Sequence, residues 1–343
     1  MPGFCNGPWP SQTGPRRGGV IVLRDILIIG LAIAAQPLPS QTAAIQDPEQ
    51  PFTLRVTSEF VLLDVSVKSV AGEPVSGLTK ENFRVHEDGK LQAISHFSSE
   101  DVPVTAGLVI DMSGSMRAKR PEVVTAALAF IGASNRNDEI FVVHFSDAVS
   151  LGLPADIPFT DNVNQLRSAL SRGTPEGRTA LNDAVVFALR HLEGGRRDRR
   201  TLVLVSDGGD NASVHGADDV MRTVLESRAT IYTIGIFDQG DHESNPKLLR
   251  RLARLSGGES FLEVQLSAVN GICRQIASDI RTRYTIGFVP ARSGEQGALR
   301  KIEVTASTPV GHKLVVHTRA GYVLPPIRPV VGEDREPIRK RRL

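Results

Sequence analysis

Three oxygen-bearing side chains stand at alternate positions in one short stretch of the chain, namely Asp111, Ser113 and Ser115. One carboxylate and two hydroxyls are hard oxygen donors, which suit Mg²⁺, Ca²⁺ or Mn²⁺ and not zinc. Gly114 lies between the serines and lets the loop turn tightly. Because Ser, Gly and Asp are also ordinary turn formers, these residues alone do not define a site.

Two later stretches strengthen the metal interpretation. Thr179 comes just before an apolar-periodic helix, and Asp207 follows an apolar run over residues 201–206. Residues 104–110 form a similar apolar run that ends at Asp111, so the pattern of strand and terminal acid occurs twice. Runs of this kind are typical of strands that are buried on both faces. In an open α/β sheet, ligands bind at the carboxyl ends of such strands.

This set resembles the metal-ion-dependent adhesion site of the von Willebrand factor type A domain, whose pattern is Asp-x-Ser-x-Ser, then Thr, then Asp. All five positions match, at Asp111, Ser113, Ser115, Thr179 and Asp207. The resemblance implies one bound Mg²⁺, with Mn²⁺ or Ca²⁺ as alternatives. It also implies that the three hydroxyls contact the metal directly or through water, and that the two acids hold it mainly through water.

Neutral hydroxyl ligands would leave the cation with net positive charge and a position open to an incoming anion. An Asp or Glu of a partner can then complete the octahedron that Mg²⁺ prefers. Arg117, Arg120 and Arg178 lie close in sequence to the matching positions, and we expect them to favour an acidic partner surface. Arg178 departs from the glycine that more often precedes the threonine.

The predicted function is therefore that of an exported, metal-dependent binding or adhesion module, which engages a protein or envelope polymer that presents an acidic side chain. The alternative is an envelope scaffold or assembly protein in which the metal site is vestigial or regulatory. The formal net charge of +2 does not suggest nucleic acid as a partner. Fold resemblance alone does not identify the ligand.

Three enzyme classes fit the motif less well. Phosphatases with an aspartyl-phosphate nucleophile need a second acid where Ser113 stands. A serine hydrolase would need Gly-x-Ser-x-Gly, but the residue two before Ser113 is Asp111. An ATP-driven chelatase assembly would need a phosphate-binding Gly-x-x-x-x-Gly-Lys-Ser/Thr loop, which the sequence lacks. We therefore predict that the protein is not an enzyme.

The elements that must position these residues follow a strand–helix rhythm, which is the signature of an α/β, doubly wound, mostly parallel sheet. The resemblance to the A domain extends over residues 102–283. Strands with alternating apolar residues precede and follow it, and we expect them to form a flanking β-sandwich-like module into which the A domain is inserted. The predicted segments are a β module over 51–100, the A domain over 101–283, further strands over 284–322 and a disordered basic tail over 323–343.

The first 50 residues are predicted to be a secretory signal and a linker. Residues 26–35 are apolar but too few to span a membrane, which needs about 20 residues. The small-x-small triplet Ala32-Ile33-Ala34 fits a cleavage site. We therefore predict a secreted, periplasmic or cell-envelope protein, and an uncleaved N-terminal anchor is the alternative. The order of segments also resembles secreted von Willebrand A-related proteins of acidobacteria.

Overall fold

The computed structural model describes residues 60–237, 243–262, 265–290, 297–308 and 313–323. These ranges belong to one compact unit, Val56–Leu343. The predicted signal and linker and the predicted basic tail beyond residue 323 lie outside the described residues. No helix in the described ranges is long and apolar enough to cross a membrane.

The strands, in chain order, are β1 Val61–Ser69, β2 Phe83–Glu87, β3 Lys90–Gln92, β4 Ile94–Ser98, β5 Val104–Asp111, β6 Glu139–Phe145, β7 Val149–Leu151, β8 Arg199–Ser206, β9 Thr230–Gly235, β10 Ser260–Phe261, β11 Tyr284–Phe288, β12 Leu299–Ala306, β13 Leu314–His317 and β14 Gly321–Val323. The helices are α1 Arg120–Ala133, α2 Val163–Ser171, α3 Leu181–Leu192, α4 Ala217–Glu226, α5 Pro246–Ser256 and α6 Leu266–Arg281.

A six-stranded sheet in the order β10-β9-β8-β5-β6-β7 forms the centre of the fold. All of its pairings are parallel except that of β6 with β7. Every residue of β5 is buried, so both faces of the sheet are covered at this strand. This burial explains the near-continuous apolar run that the sequence shows there. The predicted doubly wound, mostly parallel sheet is confirmed.

Helices connect the parallel strands, and local sequence signals mark their ends. Pro121 occupies the first turn of α1, where its missing N–H costs no hydrogen bond. The Asn162 side chain caps α2 by accepting hydrogen bonds from the N–H groups of Asn164 and Gln165. Helix α5 ends at Gly257, which has a left-handed φ of 82°.

Two antiparallel four-stranded sheets flank the central sheet, in the orders β13-β1-β11-β4 and β14-β12-β2-β3. Strand β1 pairs with both β11 and β13, which come after the last helix in the chain. Strand β12 likewise pairs with β2. Strands from both ends of the chain therefore share one separate core, which includes Leu63, Val65, Phe83, Val85, Tyr284, Ile286 and Phe288.

One segment with alternating apolar residues does not form a single strand. Residues 91–97 divide at Ala93 between β3, which pairs with β2, and β4, which pairs with β11 in the other flanking sheet. A hairpin turn joins β2 to β3, with positive φ values at Asp88 (48°) and Gly89 (78°), as such tight turns require. At the other end, β14 extends to Val323, one residue past the boundary expected for the last strands.

A cluster of buried polar side chains joins the flanking sheets to the central domain. Lys68 on β1 contacts Glu259 and lies 3.5 Å from Asp279 of α6. Arg283 donates a hydrogen bond of 3.1 Å to the Tyr232 hydroxyl, which itself contacts Asp279. Burial raises the pKa of Asp279, but the charges of Arg283 and Lys68 outweigh it and hold that pKa below its usual value.

Candidate metal centre

Asp111 is the last residue of β5 and is 2% exposed. Its Oδ1 accepts a hydrogen bond of 2.8 Å from the Ser113 N–H, and its Oδ2 accepts one of 2.6 Å from the Ser206 hydroxyl at the end of β8. The carboxylate is therefore fixed by its own loop and by the neighbouring strand. This arrangement orients the acid at the carboxyl edge of the sheet, where the strand pattern predicts a site.

The two serines and the second acid form one chain of contacts. Ser113 Oγ lies 3.1 Å from Ser115 Oγ, and Ser115 donates a hydrogen bond of 2.9 Å to Asp207 Oδ2. The other oxygen of Asp207 accepts a hydrogen bond of 3.0 Å from the Gly209 N–H. Ser113 and Asp207 are buried whereas Ser115 is exposed, so the cluster opens to solvent at Ser115.

Thr179 lies on a loop that is held between the loops carrying the other four residues. The Gly114 N–H donates to the Gly177 carbonyl at 3.1 Å, which joins the threonine loop to the serine loop. The Thr179 N–H donates to Asn211 Oδ1 at 2.9 Å, and the Thr179 carbonyl accepts from the N–H groups of Asn211 and Ala212. Among the described residues, the Thr179 hydroxyl has no hydrogen-bond partner.

The oxygen spacing is compatible with one divalent cation. In an octahedral site with Mg–O distances of about 2.1 Å, adjacent ligand oxygens lie about 3.0 Å apart. The two oxygen pairs that include Ser115 Oγ are 3.1 and 2.9 Å apart. No group of three or more His, Cys, Asp and Glu residues in the described ranges could hold a metal. A site here therefore depends on its hydroxyl groups as well as on its two acids.

The electrostatics of the cluster also favour a cation. The pKa of Asp111 is raised to about 6, mainly by burial and to a smaller extent by the nearby charge of Asp207. Hydrogen bonds from Ser113 and Ser206 act in the opposite direction. Two carboxylates that approach one another in a buried setting repel each other, and a divalent cation between them would remove that penalty.

The three arginines near the site differ in their surroundings. Arg120 is half-buried and donates hydrogen bonds to the carbonyls of Leu170 (2.8 Å) and Arg172 (2.6 Å). Its guanidinium therefore binds the backbone and is not free to meet a partner at the edge of the site. Arg178 forms an ion pair of 2.9 Å with Asp147, and both side chains are more than half exposed. Arg117 is exposed and donates to the Pro175 carbonyl at 3.1 Å.

Three supporting residues do not appear in the motif. Ser206 orients Asp111, Asn211 holds the Thr179 backbone, and Asp147 lies so close to Gly177 that a Cβ there would fall 1.9 Å from its Oδ2. Ser206 is signalled in the sequence by its place directly before Asp207. Asp147 has no such signal, because it lies 31 residues before the Arg178 that it pairs with.

Part of the chain matches a known protein family. The family model of the von Willebrand factor type A domain matches residues 107–210. An uncharacterized protein of Synechocystis sp. is 27% identical over 167 residues, which is 47% of this chain and 38% of that protein. Inter-alpha-trypsin inhibitor heavy chain H4 of Homo sapiens is 22% identical over 232 residues, which is 64% of this chain and 24% of that protein. The chain thus spans well under half the length of these two relatives.

Among solved structures, a von Willebrand factor type A protein from Catenulispora acidiphila aligns with a TM-score of 0.48 and 15% identity, over 80% of this chain and 76% of that chain. The family match begins inside β5 and ends at Asp210, so it includes all five residues of the candidate centre. The chain therefore contains a von Willebrand factor type A domain.

Proposed function

We propose that the protein is an exported binding module that engages an acidic group of a partner through a divalent cation. The observation that supports this proposal is the continuous set of oxygen contacts from Ser113 through Ser115 to Asp207, beside the fixed carboxylate of Asp111. The loop that carries Thr179 lies against the serine loop. Mg²⁺ is the ion we propose first, with Mn²⁺ and Ca²⁺ as alternatives.

In this proposal the cation would be held by Asp111, Ser113, Ser115, Thr179 and Asp207, and it would supply positive charge for an incoming carboxylate. Hydrogen bonds from neighbouring residues orient these ligands. Ser206 fixes one oxygen of Asp111, and the Gly209 N–H fixes one oxygen of Asp207. Asn211 holds the Thr179 backbone. Such supporting hydrogen bonds fix the orientation of ligands and strengthen metal affinity.

The partner in this proposal is a protein or an envelope polymer that presents an acidic side chain. Ser115 is the exposed member of the cluster, so the partner would approach from its side. Arg117 is exposed nearby, and Arg178 is exposed although it is paired with Asp147. An incoming carboxylate would compete with Asp147 for Arg178. Rim charges of this kind change specificity and association rate more than affinity.

Metal-dependent capture tests this function. The purified protein would be immobilised and exposed to envelope extract in Mg²⁺ or in EDTA, beside a variant in which both Ser113 and Ser115 are alanine. Partners that are retained in Mg²⁺ and lost in EDTA and in the variant would support the proposal. Partners that bind equally well in all three conditions would contradict it and would favour the scaffold alternative.

A further inference from the structure

Helix α5 presents four positive charges on one face. Its cations recur at helical spacing and are exposed, namely Lys247, Arg250, Arg251 and Arg254. The leucines between them are mainly buried on the opposite side, and the buried ones include Leu248, Leu249 and Leu252. Positions separated by three and four residues lie on the same face of a helix. The helix contains no acidic residue. We call these four cations the α5 basic face.

The described part of its surroundings does not neutralise the α5 basic face. Among the described residues, none of its four members forms an ion pair, whereas the exposed Arg222 and the partly exposed Arg281 and Arg300 each pair with an aspartate. Like charges three and four residues apart on a helix repel one another and lower its stability. A bound polyanion would relieve this repulsion.

A cleft of about 370 Å³ lies at the C-terminal end of the same helix. Arg250 and Arg254 of α5 line it, together with Val316 and His317 of strand β13. Ser260 and Thr318 also line the cleft, but the Thr318 hydroxyl oxygen is buried. Glu259 also lines the cleft, but its carboxylate contacts the buried Lys68, which compensates its charge. The lining of the cleft is thus partly apolar, and its two arginines give it positive charge.

The α5 basic face extends from the candidate metal centre towards this cleft. The N–H of Asn245, which caps the start of α5, donates a hydrogen bond of 3.1 Å to the Asp207 carbonyl. From Lys247 to Arg254 the helix rises about 10 Å. A small anion could meet only part of such a row of charges. An elongated polymer with repeated negative groups could meet all four cations and also enter the cleft.

We propose that the α5 basic face and its cleft form a second binding site, independent of metal, for an acidic polysaccharide. Hydroxyl groups of sugars match Ser260 and His317 in the lining of the cleft, and the acidic groups match the four cations. Single-stranded nucleic acid is less compatible, because the helix has no aromatic residue on which bases could stack. A lipid surface is less compatible as well, because the leucines of α5 are mainly buried in the core and cannot insert.

The test measures binding of defined oligosaccharides to the full chain in EDTA. The probes are a sulfated heparin oligosaccharide, a carboxylated oligogalacturonate and a neutral dextran of similar length. We expect at least one acidic probe to bind and the neutral probe not to bind, and we expect binding to weaken when salt rises to about 0.3 M. The two acidic probes distinguish a sulfated from a carboxylated ligand.

The key variant replaces Arg250 and Arg254 by glutamine. Affinity for the acidic probe should fall about tenfold, since two ionic contacts are lost. The matched control is Arg167→Gln with Arg190→Gln, which removes the same charge from exposed positions on α2 and α3. The control should bind like the parent protein, and so should Asp111→Ala, which removes only the candidate metal centre.

Three results would overturn the proposal: binding of neither acidic probe, an equal loss of affinity in the α2 and α3 control, or tighter binding of single-stranded DNA of matched charge. Failure of metal-dependent capture would leave this second site unaffected, since every arm of the experiment is performed in EDTA. Because both substituted arginines are exposed, the variant should melt at the parent temperature, and thermal unfolding verifies that it is folded.

Discussion

The hydroxyl of Ser206 donates a hydrogen bond of 2.6 Å to Asp111 Oδ2, so the residue just before the second acid of the candidate centre fixes the first one. The same oxygen of Ser206 accepts a hydrogen bond of 3.0 Å from the Gly208 N–H, which anchors the glycine turn after Asp207. One buried serine thus holds both acidic loops in register at the ends of β5 and β8.

This relationship predicts the effect of Ser206→Ala. The variant should fold but bind Mn²⁺ about tenfold more weakly, because Asp111 would lose the hydrogen bond that orients it. Titration calorimetry with Mn²⁺ measures the change. Ser171→Ala is the control, since its hydroxyl bonds only within α2. An unchanged Mn²⁺ affinity in Ser206→Ala would show that Asp111 needs no such support.

The histidine at the end of β6 predicts a pH dependence of stability. Burial, together with the charges of Arg120 and Arg172, lowers the pKa of His144 to about 4. In the unfolded chain this histidine has its ordinary pKa of about 6.5. Above that pH the ring is neutral in both states, so its full contribution to the free energy of unfolding is present. It declines as pH falls through the range from about 6.5 to 4.

The corresponding variant is His144→Leu, which removes the titrating group from a position where the His144 Nε2 has no hydrogen-bond partner among the described residues. Denaturant unfolding in EDTA would be measured between about pH 4 and pH 7. As the pH falls from about 7 to 4, the free energy of unfolding should decrease by up to roughly 3 kcal/mol more in the parent than in the variant. Parallel curves for the two proteins would contradict the assignment of this slope to His144.

The buried polar cluster predicts that the flanking sheets and the central domain unfold together. Asp279→Ala would leave Lys68 and Arg283 buried without their shared carboxylate. This change should lower the free energy of unfolding by about 3–5 kcal/mol. Asp101→Ala is the control, since its exposed ion pair with Arg281 should contribute about 1 kcal/mol or less. If Asp279→Ala lowers the free energy of unfolding no more than the control does, the cluster does not join the two cores.

Local pattern was sufficient to predict much of this fold. The apolar runs that become β5 and β8 are buried on both faces, and the motif residues lie at their carboxyl ends. The division of residues 91–97 between two sheets was not predictable, because the same alternation suits a strand in either sheet. Only the distant partners decide it, β2 for the first part and β11 for the second.

The candidate site shows the same division between local and long-range information. The five motif positions can be read from the sequence, but their supporting contacts cannot. The sequence predicts that Arg178 adds positive charge beside the site, yet Asp147 forms an ion pair with it from another loop. Arg120 stands near the serines in sequence but is directed to the carbonyls of Leu170 and Arg172. Tertiary packing decides which of these charges face solvent.

Metal-induced stabilisation tests the central claim most directly. A cation that binds only the folded chain stabilises it by about 2.7 kcal/mol when its concentration is about 100 times its Kd. We predict that Mg²⁺ or Mn²⁺ raises the melting temperature of the parent protein, and that Asp111→Ala and Thr179→Ala each abolish this rise while remaining folded in EDTA. A parent protein that melts at the same temperature with and without the metals, or variants that respond to them as the parent does, would contradict the proposed metal centre.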